Sequence, residues 1–274
     1  QREIDWLYAC GADGIVLAMV SEVLRLSESE RRELAELACR FSEDRGAVVI
    51  SVGAESSKTA EEFTRHAEAC GATAAMAIPP IATALDETEV TGYFERILRA
   101  SSLPLIVQDA SGYVGRPLPI TMQARLLREW GAERVSFKPE ATPIGPRLSA
   151  LRDATDGKAK IFEGTGGIAL VDSFRRGIVG SMPGADLIRG IVPLWRALQL
   201  KDEATIYRLS LPISAIVAIQ NSLDAFLAVE KHLLVRQGIF NNEHIRGPVG
   251  YRLDAETRRE VDRLFDQLLA VIEK

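Results

Sequence analysis

Ala69-Cys70-Gly71-Ala72-Thr73-Ala74-Ala75-Met76-Ala77-Ile78-Pro79-Pro80 holds the unit from which the fold can be read. An amphipathic segment stops at a glycine, a short apolar run follows, and two prolines close it. Glycine ends a helix in the left-handed conformation without steric cost. A continuous apolar run beside it reads as a strand buried on both faces, and Pro79-Pro80 ends that strand.

The same unit recurs along the chain. Ala9-Cys10-Gly11-Ala12 leads into Gly14-Ile15-Val16-Leu17-Ala18, Trp130-Gly131-Ala132 into Val135-Ser136-Phe137, and Arg176-Gly177 into Ile178-Val179-Gly180. Three further apolar runs lie between these: Ala47–Val52, Leu103–Val107 and Ala159–Phe162. Helix starts follow strands with capping-box spacing at Ser27…Glu30 and Thr59…Glu62. About seven strands alternating with helices predict a parallel α/β domain. A Gly-rich dinucleotide turn is lacking after the first strand, and the many near-equal strand–helix units favour a (β/α)8 barrel over an open sheet. The chain opens on a helical segment, Glu3 to Ala9, so the first barrel strand is expected upstream of Gln1. The expected organisation is a barrel over residues 1–186 and a packed C-terminal helical extension over residues 187–274, with an apolar stripe at Leu264, Leu268 and Ile272.

Composition narrows the function classes. The 274 residues are 47% hydrophobic and 26% charged, with a net charge of −5, as expected of a globular domain. Basic clusters with interleaved aromatics are missing, which argues against nucleic acid as a partner. No apolar run reaches the roughly 18 residues of a membrane span, and Gln1-Arg2-Glu3-Ile4-Asp5 is too polar for a signal-peptide core. Cys10, Cys39 and Cys70 are odd in number and widely spaced, which suits reduced thiols and a cytoplasmic protein. His66, His232 and His244 show no metal-ligand spacing with each other or with cysteine, so no metal is expected.

A barrel of this type carries its active site at the C-terminal ends of the strands. Polar groups fall there at Val20-Ser21-Glu22, Gln108-Asp109, Lys138 with Glu140, Glu163-Gly164-Thr165 and Ser181. Lys138 stands out because the chain has only seven lysines among its 33 basic residues. A lysine directly after Val135-Ser136-Phe137 is not an ordinary surface charge. Burial disfavours an ammonium, and a free amine can attack a ketone to give an iminium that acts as an electron sink. The alternative is a structural lysine paired with Glu140 or Asp109. Glu22 and Glu140 can relay protons or anchor loops, and Asp109 with Gln108 can bind substrate hydroxyls or cap a turn. Glu163-Gly164-Thr165-Gly166-Gly167 precedes a helix as an anion-binding turn would.

The order Ser21-Glu22, Pro79-Pro80 and Phe137-Lys138-Pro139-Glu140-Ala141-Thr142, over nearly the whole chain, resembles the dihydrodipicolinate synthase / N-acetylneuraminate lyase family. The resemblance implies a class I aldolase-type barrel whose lysine, Lys138 here, forms a Schiff base with a 2-keto acid in a dimeric or tetrameric enzyme. The family's Gly-Thr-Thr-Gly-Glu is replaced by Ala18-Met19-Val20-Ser21-Glu22, its strand-end tyrosine by Gln108, and its other relay tyrosine has no counterpart near Pro79-Pro80-Ile81. Ala18–Glu22, Val107-Gln108-Asp109-Ala110 and Phe137–Glu140 are more similar to the family's L-2-keto-3-deoxyarabonate dehydratase-like branch. That resemblance implies a lyase dehydrating a small-molecule 2-keto-3-deoxy sugar acid, with no metal or organic cofactor needed. Lys138, Glu140, Gln108 and Asp109 would do the chemistry, and Val20, Ser21, Glu22, Gly164, Thr165 and Ser181 would bind substrate. Retro-aldol release of pyruvate, a synthase-like condensation and a non-catalytic keto-acid-binding barrel stand as alternatives.

Overall fold

The glycines of the repeat have backbone angles that few other residues tolerate. Gly11, Gly71, Gly131 and Gly177 have φ of +92°, +84°, +82° and +90°, the left-handed region in which a Cβ would clash. The computed structural model describes residues 1–273, and all seven expected strands are in it. The elements run α1 (Arg2–Ala9), β1 (Gly14–Leu17), a 3-10 turn (Glu22–Arg25), α2 (Glu28–Ser42), β2 (Ala47–Ser51), α3 (Ser57–Ala69), β3 (Ala74–Ala77) and α4 (Glu87–Ala100). They continue with β4 (Leu105–Asp109), α5 (Ile120–Trp130), β5 (Val135–Pro139), α6 (Ile144–Ala154), β6 (Phe162–Glu163), α7 (Leu170–Arg175) and β7 (Gly180–Ser181). A second 3-10 turn (Ala185–Leu187) leads to α8 (Ile188–Leu200), α9 (Glu203–Ile219), α10 (Leu223–Arg236) and α11 (Ala255–Ile272).

Packing divides the chain into two compact units. The first comprises Asp13–Phe162 with Arg176–Gly180, and the second comprises Gln1–Ala12, Glu163–Arg175 and Ser181 onward. In the first unit β1 to β5 pair in parallel and in chain order. Phe137 then bridges Ile161 in parallel, and Val179 N–H donates to the Ile161 carbonyl at 2.8 Å. Every residue of β3, β4 and β5 is buried, which is why these strands read as unbroken apolar runs instead of an alternating pattern. Val49, Ile50, Met76, Ile106, Val107 and Phe137 form the core of this sheet. Burying each such side chain stabilises the fold by about 1.5–3 kcal/mol. Gly14 is needed at the first pairing, because a Cβ there would lie 2.4 Å from the Ala47 carbonyl oxygen.

The helix starts are partly as expected. Ser27 and Glu30 form a full capping box on α2. Thr59 does not begin α3, which starts at Ser57, and Glu62 instead pairs with Lys58 one turn back at 3.2 Å. An i,i+4 ion pair inside the helix thus takes the glutamate that the capping reading assigned to Thr59.

In the second unit α8, α9 and α11 pack through Leu194, Ile213 and Leu268, all fully buried. The buried stripe of α11 is Val261, Phe265 and Leu268, one residue out of phase with the expected one except at Leu268. Residues 237–254 are not helical, although the sequence predicts helices throughout the extension; Gly238, Asn241-Asn242 and Gly247-Pro248 interrupt it. His232 holds this segment, with Nδ1 2.9 Å from Glu243 and Nε2 2.9 Å from Asp262 on α11. Arg258 also binds Glu243 and, with His232, holds its carboxyl down at about 2. Among the described residues, no helix is long and apolar enough to cross a membrane.

Candidate active site

β4 and β5 end in register, with Gln108 opposite Lys138 and Asp109 opposite Pro139. Side chains alternate along a strand, so Gln108, Lys138 and Glu140 share one face and Asp109 takes the other. The Glu140 N–H donates to the Asp109 carbonyl at 2.8 Å and carries the ladder one residue past β5.

On the shared face Lys138 Nζ donates to Glu140 Oε1 at 2.8 Å, and Gln108 Nε2 donates to Glu140 Oε2 at 2.6 Å. Lys138 and Glu140 are each 3% exposed and Gln108 0%, so this is a dry, neutral ion pair with an amide attached. The pair persists because each charge has its counter-charge; removing one partner of such a buried pair costs about 3–5 kcal/mol. Of the two acidic partners open to Lys138 in the sequence, the structure pairs it with Glu140. Gln108 must turn its NH2 toward the carboxylate, and its Oε1 is left buried without a hydrogen-bond partner among the described residues. The cluster therefore combines a primary amine, a carboxylate at proton-transfer distance from it, and an unmatched acceptor.

Asp109 does different work. Its Oδ2 accepts from the Leu118 N–H at 2.9 Å and from Arg147 at 3.4 Å, and its Oδ1 accepts from the Ser111 N–H at 3.2 Å. It fastens the loop that follows β4, the turn-capping alternative read for it. Gly112 of that loop lies against the Glu140 carbonyl, 2.6 Å from where its Cβ would be, so the loop packs directly on the chain after Lys138.

At the end of β1, Val20 packs on a cluster of Met19, Val23, Ile78 and Ala110, which draws together the loops after β1, β3 and β4. Ser21 donates its hydroxyl to the Ala18 carbonyl at 2.5 Å and accepts from the Val23 N–H at 3.2 Å, capping the 3-10 turn that Glu22 opens. A residue not singled out in the sequence organises the neighbouring loops. Glu55, shortly after β2, accepts from the Ile81 and Ala82 N–H groups at 2.9 and 3.0 Å. The Ala54 N–H donates to Tyr93, whose hydroxyl burial pushes well above its ordinary value. Its strand-end position was the available signal for Glu55.

In the second unit Glu163, 1% exposed, is enclosed by donors. Its Oε1 accepts from the Thr165 N–H at 2.6 Å and from the Thr165 hydroxyl, and its Oε2 from Ser181 at 2.9 Å. Thr165 accepts in turn from the Ala169 N–H at 3.1 Å. The Gly164-Thr165 turn thus directs its donors at a carboxylate of its own chain. Gly167 (φ +106°) admits Ile191 and Ile213 where a Cβ would come within 2.6 and 2.9 Å of them. Among the described residues one group has the donors of a metal site, Glu36, His66 and Cys70; it lies on α2 and α3, not at the strand ends.

Comparison with known proteins gives a consistent result. The sequence profile of the Dihydrodipicolinate synthetase family matches residues 1–142. The L-2-keto-3-deoxyarabonate dehydratase of Azospirillum brasilense is 28% identical over 273 residues, covering 95% of this chain and 85% of that protein. An Escherichia coli K12 protein named "Probable 2-dehydro-3-deoxy-D-pentonate aldolase" is 31% identical over 127 residues, 46% of this chain and 42% of its own. The crystal structure of an E. coli K12 prophage protein of the dihydrodipicolinic acid synthase family, in complex with pyruvate, superposes with a TM-score of 0.85 at 20% identity. It covers 97% of this chain and 90% of its own. The fold is the (β/α)8-barrel class with a C-terminal helical extension.

Proposed function

The chain belongs to the dihydrodipicolinate synthetase family and is an enzyme of lyase type; from that premise we propose that it dehydrates a 2-keto-3-deoxy sugar acid through a Schiff base on Lys138. The observation that carries this reading is the buried Lys138–Glu140–Gln108 cluster on one face of two paired strand ends.

Lys138 must lose a proton before it can attack, and Glu140 accepts it across 2.8 Å. The amine adds to the C2 ketone and water leaves, giving an iminium. The iminium acidifies C3–H, a carboxylate removes that proton, and the electron pair forms an enamine. The enamine expels the C4 hydroxyl, which takes up a proton and departs as water. Hydrolysis of the conjugated iminium then returns the amine, so the net change is the loss of one water. Glu140 serves as the acid and base of these steps, and the unmatched Gln108 Oε1 accepts a hydrogen bond from a substrate hydroxyl. Asp109 is a positioning residue that holds the covering loop. Glu22 and the Val20-Ser21 turn are the proposed contacts for the rest of the substrate. The dehydratase relative, aligned over nearly the whole chain, supports elimination as the outcome. The aldolase-named relative supports one rival, in which the same iminium leads to C3–C4 cleavage.

Incubation with pyruvate followed by borohydride is expected to add a reduced adduct to Lys138, read by peptide mass spectrometry. No adduct at Lys138 in folded protein would overturn the reading. With 2-keto-3-deoxy pentonates as substrates, a dehydrated keto product supports the dehydratase, whereas free pyruvate replaces it with the aldolase.

A further inference from the structure

The sequence expectation of no metal site rested on spacing among histidines and cysteines, and the fold adds a carboxylate from another helix. His66 and Cys70 are four residues apart at the end of α3, so they share one face. α2 packs against α3 and brings Glu36 to them. His66 Nε2 is 3.5 Å from Cys70 Sγ and 3.3 Å from Glu36 Oε1, and the three ligand atoms all lie within 4.8 Å of one another.

Those separations can be compared with a coordination sphere. Tetrahedral zinc has bonds of about 2.3 Å to sulfur, 2.0–2.1 Å to imidazole nitrogen and 2.0–2.2 Å to carboxylate oxygen. A tetrahedral angle between such bonds separates nitrogen from sulfur by about 3.6 Å and nitrogen from oxygen by about 3.4 Å. The observed 3.5 and 3.3 Å match both edges that include His66, and Glu36 and Cys70 lie within 4.8 Å of each other. His66 and Cys70 are half-buried and Glu36 is exposed, so an ion can enter from solvent and keep a water in the fourth position. The Arg32 carbonyl, 3.2 Å from the same His66 nitrogen, accepts its proton in the metal-free tautomer.

We propose that Glu36, His66 and Cys70 form a binding site for a thiophilic divalent cation of the zinc class, clamping α2 to α3 apart from the strand-end chemistry. Binding displaces the Cys70 thiol proton to solvent and shifts the His66 proton to Nδ1, leaving thiolate, neutral imidazole and carboxylate as ligands.

The probe is Co2+, titrated into the reduced full-length chain. One equivalent should bind with a near-ultraviolet thiolate-to-cobalt charge-transfer band, and one equivalent of Zn2+ should displace it. Cys70→Ser should abolish the band. Glu36→Gln, an exposed change that leaves folding intact, should weaken binding by at least the ~10–100-fold that even outer-shell partners contribute. Cys39→Ser, which removes the neighbouring thiol of α2, should leave the band in place. The proposal is overturned if the wild-type chain shows no such band, if Glu36→Gln binds as tightly as wild type, or if Cys39→Ser alone removes the signal.

Discussion

Glu140 follows β5 and Glu163 ends β6; both carboxylates are buried, and their partners differ in kind. Glu163 accepts from neutral donors, the Thr165 N–H and hydroxyl and the Ser181 hydroxyl, and so holds a turn. Glu140 is held by a cation and an amide, Lys138 and Gln108, and the amide keeps an unmatched oxygen. Protonating a carboxylate held by backbone and hydroxyl donors removes acceptor capacity that the surrounding turn uses. One paired with a lysine amine can exchange a proton with that amine and keep the same neighbours. Burial alone does not mark a reactive acid; the identity of its donors does.

Several substitutions would break or sharpen this contrast. Glu140→Gln keeps the shape and the contact with Gln108 but removes the exchangeable charge. It should lower kcat by on the order of 10²–10⁴-fold and slow formation of the borohydride adduct at Lys138, and unchanged turnover would reduce Glu140 to an anchor. Glu163→Ala should act the other way. It strands the Thr165 and Ser181 donors and should destabilise folding by roughly 2–4 kcal/mol, measured by urea unfolding, while the remaining folded protein still labels at Lys138. A loss of labelling without loss of stability would erase the distinction between the two acids.

A third buried acid extends the comparison to pH. Burial raises the Asp186 carboxyl from its ordinary 3.8 to about 6, against the pull of the Gln220 hydrogen bond. Burial also raises its neighbour Glu230, with the Asp186 charge adding to the effect. Between about pH 4 and pH 6 the folded chain holds a proton that the unfolded chain has released, so stability falls as pH climbs through that window. Asp186→Asn should flatten this slope and raise stability at pH 7 by about 1–3 kcal/mol. Unfolding curves at pH 4, 5, 6 and 7 test it, and an unchanged slope would show that Asp186 is not the group responsible.

Much of the fold was legible because its signals are local. The glycines at 11, 71, 131 and 177 announce left-handed turns wherever the helices pack, and strands buried on both faces appear as unbroken apolar runs. The candidate site was legible as an inventory, since a scarce lysine after an apolar strand is conspicuous in a chain that otherwise uses arginine. The roles of its neighbours were not. Asp109 is adjacent to Gln108 in the chain, yet the strand's alternation turns it to Arg147 and the loop. Glu55 holds Ile81 and Ala82 from 26 and 27 residues away, and Glu36 reaches His66 only because two helices pack side by side.

The sequence by itself determined the alternation of helix and strand, and that one strand end presents an amine. These follow from backbone sterics and the burial of apolar side chains, which act within a few residues. Tertiary structure alone decided that Gln108 joins the Lys138–Glu140 pair, that Glu55 ties down the loop after β3, and which residues gather around His66. Hydrogen bonds and ion pairs act over about 3–4 Å. Which groups come that close is set by strand register and helix packing between segments far apart in the chain.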